Sequence, residues 1–387
     1  MSRVEALYRW LSRERGPDVD RAFVAGLAHA EPPYDAEIVR ILLRRPNEIA
    51  WGGLVAHYPL LDAATRQQML GKPELLRAAT AAALTAASED GRAAALELLT
   101  DHPCPALSYH VADALRDPAP GVRAAAARVL CRTGERLWSD GEGSPRGPEA
   151  ATERGNYIEA LRQALRTFDL HQRPDVLEVC LWFAPELGDG LWDTLNAPRS
   201  AAGHVVARHL PAWNGPRLAG FLLLALGQPA WQRSAQRLLE GWSSRDEVIA
   251  LLRRTDLLRD PRVRGHLHLL HRPRWLVMHG AALIDLPRDV RSKAPQWVCH
   301  LGFTAEARLR YLMIWQASPM PELHRAAVYA LAHLGTPEAA RVLAEVAARP
   351  GPMSRFARWF LAGAATRGAA SASRSTVTAG RGAEGRR

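Results

Sequence analysis

The sequence predicts an all-α fold: an α-solenoid of stacked antiparallel helix pairs. Three observations carry that prediction. Apolar residues recur at helical spacing nearly throughout the chain. Alternating runs rich in Val, Ile and Thr, the mark of strands, are missing. Pro and Gly fall between the apolar stripes at intervals of about 12–18 residues, where helices would stop and restart.

Taken in order, Val4, Leu7, Tyr8 and Leu11 form the first stripe. Ile38, Ile41 and Leu42 form a second, and Trp51, Leu54 and Val55 a third. From Ala78 to Ala87, seven of ten residues are alanine, the strongest helix former. After Asp117-Pro118, the residues Val122, Ala126, Val129 and Leu130 share one helix side.

That last segment repeats. Moved forward by 168 positions, Asp117 meets Asp285, Val122-Arg123 meets Val290-Arg291, Ala126 meets Ala294 and Gly134 meets Gly302. A further 33 positions bring Val290 onto Leu323, Ala294 onto Ala327 and Leu301-Gly302 onto Leu334-Gly335. Another 30 bring Leu323, Ala327 and Leu331 onto Met353, Ala357 and Leu361. Weaker copies lie at Asp260-Pro-Arg-Val263-Arg264 and at Leu76 to Leu84.

This pattern resembles the HEAT-repeat family, and its spacing is nearer the short variant named after phycobilisome lyases. The resemblance is fullest over 107–134 and clusters again over 285–364. It implies a HEAT-like superhelix, in which each repeat buries its apolar side on its neighbours. It does not imply one activity.

Each repeated position has a physical task. Asp117 and Asp285 are placed to cap helix N–H groups, and Pro118 suits a first helical turn. Val122 and Val290 point to the core, and the small Ala126 lets helices approach. Arg123 and Arg291 sit in first turns, where the helix dipole disfavours a cation. A carboxylate from the same or the adjacent repeat is expected to compensate each one. His324 takes the arginine position in the next repeat, so the series is interrupted.

Two stretches fall outside the pattern. Ser139 to Glu149 has no apolar residue and is dense in Gly and Pro. It predicts a loop over 139–155, between an N-terminal array (1–138) and a C-terminal array (156–366). The segment 367–387 is Ala, Ser, Gly, Thr and Arg with little to bury, and is expected to be a disordered basic tail.

Composition excludes several classes. The 387 residues are 48% hydrophobic and 23% charged, values of a folded protein. The longest apolar run, Leu218–Leu226, falls well short of the roughly 18–20 residues that span a membrane. The net charge is +10, but all the basic residues except Lys72 and Lys293 are arginine. With abundant Ala, Gly and Pro, that bias reads as a GC-rich bacterial genome more than as selection for phosphate binding. Cys104, Cys131, Cys180 and Cys299 are widely spaced, with no C-x-x-C, so neither a zinc site nor a disulfide framework is indicated. The charged N-terminus has no signal-peptide pattern, and a reduced cytoplasmic setting is expected.

Motifs of nucleotide binding, zinc proteolysis and serine hydrolysis do not occur. His266, His268, His271 and His279 cluster without converging carboxylates or thiolates, so no metal site is expected. No cofactor or catalytic residue is assigned. Most of the 12 tryptophans are expected to fill gaps between irregular repeats. Two stretches combine Trp with Arg, the usual anchors of protein interfaces: Arg272-Pro-Arg274-Trp275 and Arg355-Phe-Ala-Arg358-Trp359. The expected function is a non-catalytic, monomeric scaffold that binds a protein partner through its concave face. The alternative is a DNA-binding or DNA-repair protein similar to the helical-repeat glycosylases for alkylated bases, which need an acid among aromatics. Asp193 beside Trp192 is the nearest match.

Overall fold

A computed structural model describes residues 8, 10–30, 32, 34–140, 147–279, 283 and 286–363, with 140 and 277–279 as backbone only. Among them there are α-helices and short 3-10 turns and no strand, so the chain is all-α. It forms two compact units, Met1–Leu210 and Pro211–Arg387.

The first unit runs α1 (Pro17–Leu27), α2 (Tyr34–Arg44), α3 (Glu48–Ala56), α4 (Ala63–Leu70), α5 (Pro73–Leu84), α6 (Glu89–Asp101) and α7 (Ser108–Ala114). It continues through α8 (Pro120–Asp140), α9 (Pro148–Arg166), α10 (Phe168–His171), α11 (Pro174–Trp182), α12 (Ala184–Leu187) and α13 (Asp189–Asn196). The division between units falls inside α14 (Ala201–Trp213). The second unit holds α15 (Ala219–Ala225), α16 (Gln232–Gly241), α17 (Arg245–Arg253), α18 (Pro261–Arg264), α19 (Arg274–His279) and α20 (Arg288–Arg291). Then come α21 (Ala294–His300), α22 (Ala305–Gln316), α23 (Pro321–Leu334) and α24 (Pro337–Ala348), followed by helical residues 354–363.

Local chemistry fixes the helix starts. Asn47, Asp62 and Ser88 accept N–H bonds from Ala50, Thr65 and Gly91 at the heads of α3, α4 and α6. Thr304 and Thr336 do the same for α22 and α24. Ser244 and Glu247 form a reciprocal capping box on α17. Proline opens α1, α5, α9, α11, α23 and α24, where its missing N–H costs nothing.

Each unit is a serial stack, the arrangement of an α-solenoid. In the first, α3 packs on α1, α5 and α6, α8 on α6, α7 and α11, and α9 on α7 and α13. In the second, α23 packs on α21, α22 and α24. Partners are thus one to four helices apart. Trp51, Leu54, Ala95, Leu130 and Phe183 are fully buried in the first unit. Phe221, Trp242, Trp275, Trp297 and Trp315 are fully buried in the second.

Two of the three aligned glycines mark close approaches, while a Cβ on Gly335 would meet nothing within 4 Å. A Cβ on Gly134 would lie 2.5 Å from the Tyr157 hydroxyl and 2.7 Å from Val179 Cγ1. One on Gly302 would lie 2.0 Å from the His268 carbonyl oxygen.

Two expectations change. The loop expected over 139–155 is mostly helical: α8 reaches Asp140 and α9 begins at Pro148. Gly147, at φ +103, turns the chain and Pro148 starts the next helix at once. The compact units also divide well beyond that loop. The expected tail, 367–387, lies outside the described residues, as does Asp285.

Candidate functional site

Val122 and Val290 are buried. Asp117 Oδ1 accepts the Ala119 N–H at 2.9 Å, closing the turn ahead of α8. Its carboxylate also pairs with Arg92 of α6, at 2.6 Å to Nε and 3.2 Å to Nη2. Burial alone would raise the Asp117 carboxyl, but Arg92, the Ala119 N–H and nearby Arg123 hold it below its ordinary value.

The expected carboxylate partner is found for one arginine and not the other. Arg291 pairs with Glu322 of α23 at 2.6 Å. Arg123 instead donates to the main-chain carbonyls of Asp117 and Pro118, at 2.8 and 2.9 Å. Those carbonyls lie just before α8, within its own reach, while Arg92 from the preceding helix already occupies the Asp117 carboxylate.

The first Arg/Trp stretch is not a surface for Trp recognition. Trp275 is fully buried and its indole N–H has no acceptor. Leu276 beside it is buried too, so this side of α19 faces the core while Arg272 and Arg274 face solvent. The main-chain N–H of Arg272 is held by Glu240 at 3.2 Å.

The second stretch is exposed. Met353, Ser354 and Ala357 are buried and anchor helical residues 354–363, leaving Arg355, Arg358 and Trp359 outside. Trp359 is 72% exposed and Tyr329 of α23 44%. Tyr329 meets the edge of Phe356, with ring centroids 4.3 Å apart. Phe356 in turn lies 6.1 Å from Trp359 and 6.4 Å from Phe360. Four aromatic side chains thus form one cluster across two helices. Arg325, one turn before Tyr329, is exposed as well. Residues 346–363 contain no carboxylate. Glu322, the acid of α23, is engaged by Arg291 and, at 3.6 Å, by Arg288. The face is therefore aromatic and cationic. Tyr329 and Arg325 were not foreseen from sequence; their i, i+4 spacing is the only signal, and many exposed helix faces share it.

Elsewhere, Asp193 is exposed on α13 while Trp192 is buried, so this acid does not sit among aromatics. The His266, His268 and His271 rings each bond a main-chain carbonyl oxygen, of Arg262, Gly265 and Gly302. Among the described residues no group of three or more His, Cys, Asp or Glu is arranged to hold a metal ion. No described helix is long and apolar enough to cross a membrane.

No family model matches the chain. No curated protein matches it either. In structure it is similar to Kap121p, from a crystal structure in which Kap121p is bound to Ste12p, with 12% identity and a TM-score of 0.27. The match covers 85% of this chain and 45% of that one, so the chain spans less than half of Kap121p's length. At that distance the likeness assigns this chain no partner.

Proposed function

We propose that this chain is a non-catalytic helical-repeat protein that binds another protein, using the face formed by Tyr329, Phe356, Trp359 and Phe360. The single observation that carries the reading is an exposed Trp359 in an aromatic cluster flanked by Arg325, Arg355 and Arg358. An aromatic patch of this kind left in water is costly and marks an interaction site. Trp, Tyr and Arg are the residues that carry most interface energy. With no carboxylate in residues 346–363, the complementary partner is a protein segment bearing both acidic and apolar side chains. The short HEAT-like form belongs to the same reading, supported by the serial packing and by close approaches at Gly134 and Gly302; a cytoplasmic, monomeric state is proposed with it.

The test is affinity capture with the full chain and with Trp359→Ala, followed by titration of the recovered protein. The reading requires a partner whose affinity falls at least about tenfold in the variant, as loss of an interface anchor should cause, at unchanged melting temperature. Equal binding by both proteins would overturn it. A parallel titration against duplex and single-stranded DNA at two salt concentrations, with and without residues 368–387, separates the nucleic-acid reading. Tight, steeply salt-dependent binding by the shortened chain would favour that reading instead.

A further inference from the structure

We infer that an exposed cationic ridge in the second unit, built on Arg233, Arg237, Arg272 and Arg274, is the docking surface for an extended, acid-rich segment of a protein partner. The inference rests on the protein-binding reading and adds a second contact to it, made by other residues than the aromatic face. Charge singles out this unit. Residues 1–210 carry four more acids than bases, so the net charge of +10 comes from residues after 210. Residues 261–274 hold four arginines and three histidines and no acid.

Hydrogen bonds join the parts of the ridge. On α16, the Gln236 side chain donates to the Leu269 carbonyl at 2.8 Å. One turn on, Glu240 Oε1 accepts the main-chain N–H groups of His271 and Arg272, at 2.7 and 3.2 Å. The loop 269–272 is therefore strapped along one row of α16. Arg233 and Arg237 form the next row round that helix, and both are exposed. The loop also meets the end of α21. There the Gly302 N–H donates to the Leu270 carbonyl at 2.9 Å, and His271 Nδ1 lies 3.0 Å from the Gly302 oxygen. Arg272 and Arg274 are exposed on the same stretch, which the buried Pro273 and Trp275 hold down. Two arginines of the loop thus stand beside two of α16.

Among the described residues no carboxylate pairs with any of these four arginines. Glu240 is committed to the two N–H groups, Asp256 to Arg254 at 3.0 Å and Asp260 to Arg262 at 3.0 Å. Carboxylates from outside would complete the charge, and arginine's forked donors suit them. Between 233 and 274 no Leu, Ile, Val, Met, Phe, Tyr or Trp is exposed. The interface of a folded partner draws its energy from such anchors. An acid-rich chain too polar to fold alone needs only charge. Nucleic acid matches the ridge less well. No Phe, Tyr or Trp ring is offered for a base to stack on. The His271 and Arg272 N–H groups, of the kind that hold phosphates, are already taken by Glu240.

The experiment is fluorescence anisotropy of the full chain with a labelled Glu-Gly repeat peptide, its Gln-Gly counterpart and a labelled DNA duplex, each at two salt concentrations. Wild type should bind the Glu-Gly peptide saturably, and less tightly at the higher salt. It should not bind the Gln-Gly peptide. Arg233→Gln with Arg237→Gln, and Arg272→Gln with Arg274→Gln, should each weaken that binding about tenfold or more, the usual effect of losing a charged hydrogen bond. Melting temperature should stay unchanged, since all four side chains are exposed. Arg355→Gln with Arg358→Gln, on the aromatic face, should bind the Glu-Gly peptide as wild type does. Capture with Trp359→Ala tests the aromatic face and the arginine pairs test the ridge, so either surface can fail alone. No binding of the Glu-Gly peptide, undiminished binding in both ridge variants, an equal loss in the aromatic-face variant, or tighter binding of the duplex overturns the inference.

Discussion

Arg92 on α6 and Asp117 ahead of α8 form a two-pronged ion pair, 2.6 and 3.2 Å long, with both side chains nearly buried. Arg92 also bonds the carbonyls of Ala86 and Ala87, so one guanidinium ties the end of one repeat to the start of the next. Asp117→Asn keeps an oxygen for the Ala119 N–H but leaves Arg92 charged and covered. It should cost about 3 kcal/mol by chemical denaturation. A double-mutant cycle of Arg92→Met with Asp117→Asn should show coupling of about 1 kcal/mol or more. The same cycle with Arg123→Ala should show a smaller coupling, since Arg123 bonds main-chain carbonyls and reaches the carboxylate only through its charge. Because the Asp117 carboxyl is held below its ordinary value, its stabilisation is complete above about pH 4 and is lost as pH falls through the native value. That part of the acid limb should vanish in Asp117→Asn.

His171 loses stability in the same direction of pH, for a different cause: burial favours its neutral ring. Its Nε2 lies 2.9 Å from the Ala164 carbonyl oxygen, and its Nδ1 accepts the Arg173 N–H at 3.1 Å. The ring is therefore neutral, with its proton on Nε2. Burial lowers its affinity for a second proton. The folded state then binds fewer protons than the unfolded one, so stability should be level above about pH 6.5 and decline below it. His171→Gln should flatten that decline between about pH 5 and 6.5 while lowering stability at pH 8. An unchanged slope would show that the imidazole is not the titrating group.

Gly134→Ala should destabilise the protein by about 1–3 kcal/mol, as overpacking does. The new methyl would enter the space of the Tyr157 hydroxyl and Val179 Cγ1. Tyr157 cannot easily retreat, because its hydroxyl is buried and donates to the Leu130 carbonyl at 2.7 Å. Combining Gly134→Ala with Tyr157→Phe should recover part of the loss, measured as a shift in denaturation midpoint.

The thiols give a simple probe of local opening. Burial pushes Cys131 up to about 12 and Cys299 up to about 11, and raises Cys180 further. The thiolate is the reactive form, so these three should resist a disulfide reagent at pH 8 in the native protein. All should react at once in denaturant. Fast native labelling of Cys180 would mean that α11 opens far more often than its burial implies.

The fold was legible because helix signals are local. Caps such as Ser244 with Glu247, prolines such as Pro148, and the stripe Val122, Ala126, Val129, Leu130 act within a few residues. The site was legible only in part. Arg272-Pro-Arg274-Trp275 and Arg355-Phe-Ala-Arg358-Trp359 read alike, yet Trp275 is buried and Trp359 is not. What separates them is which side of the helix the preceding repeats cover, and that is set by tertiary packing. Tyr329 joins the cluster from another helix. The glycines were a partial long-range signal: Gly134 and Gly302 prove to be contact points, and the equally aligned Gly335 does not.

The serial packing has a consequence for how change spreads. A helix here packs mainly on those one to four places away. Damage at α1 is therefore quarantined in its own neighbourhood, and no single hub fails on behalf of the rest. The same property lets lineage history be written piecemeal. A pair of helices can drift, duplicate or drop out while distant pairs keep their register, which is how one motif can stay clear at Asp117 and fade almost beyond reading elsewhere in the chain.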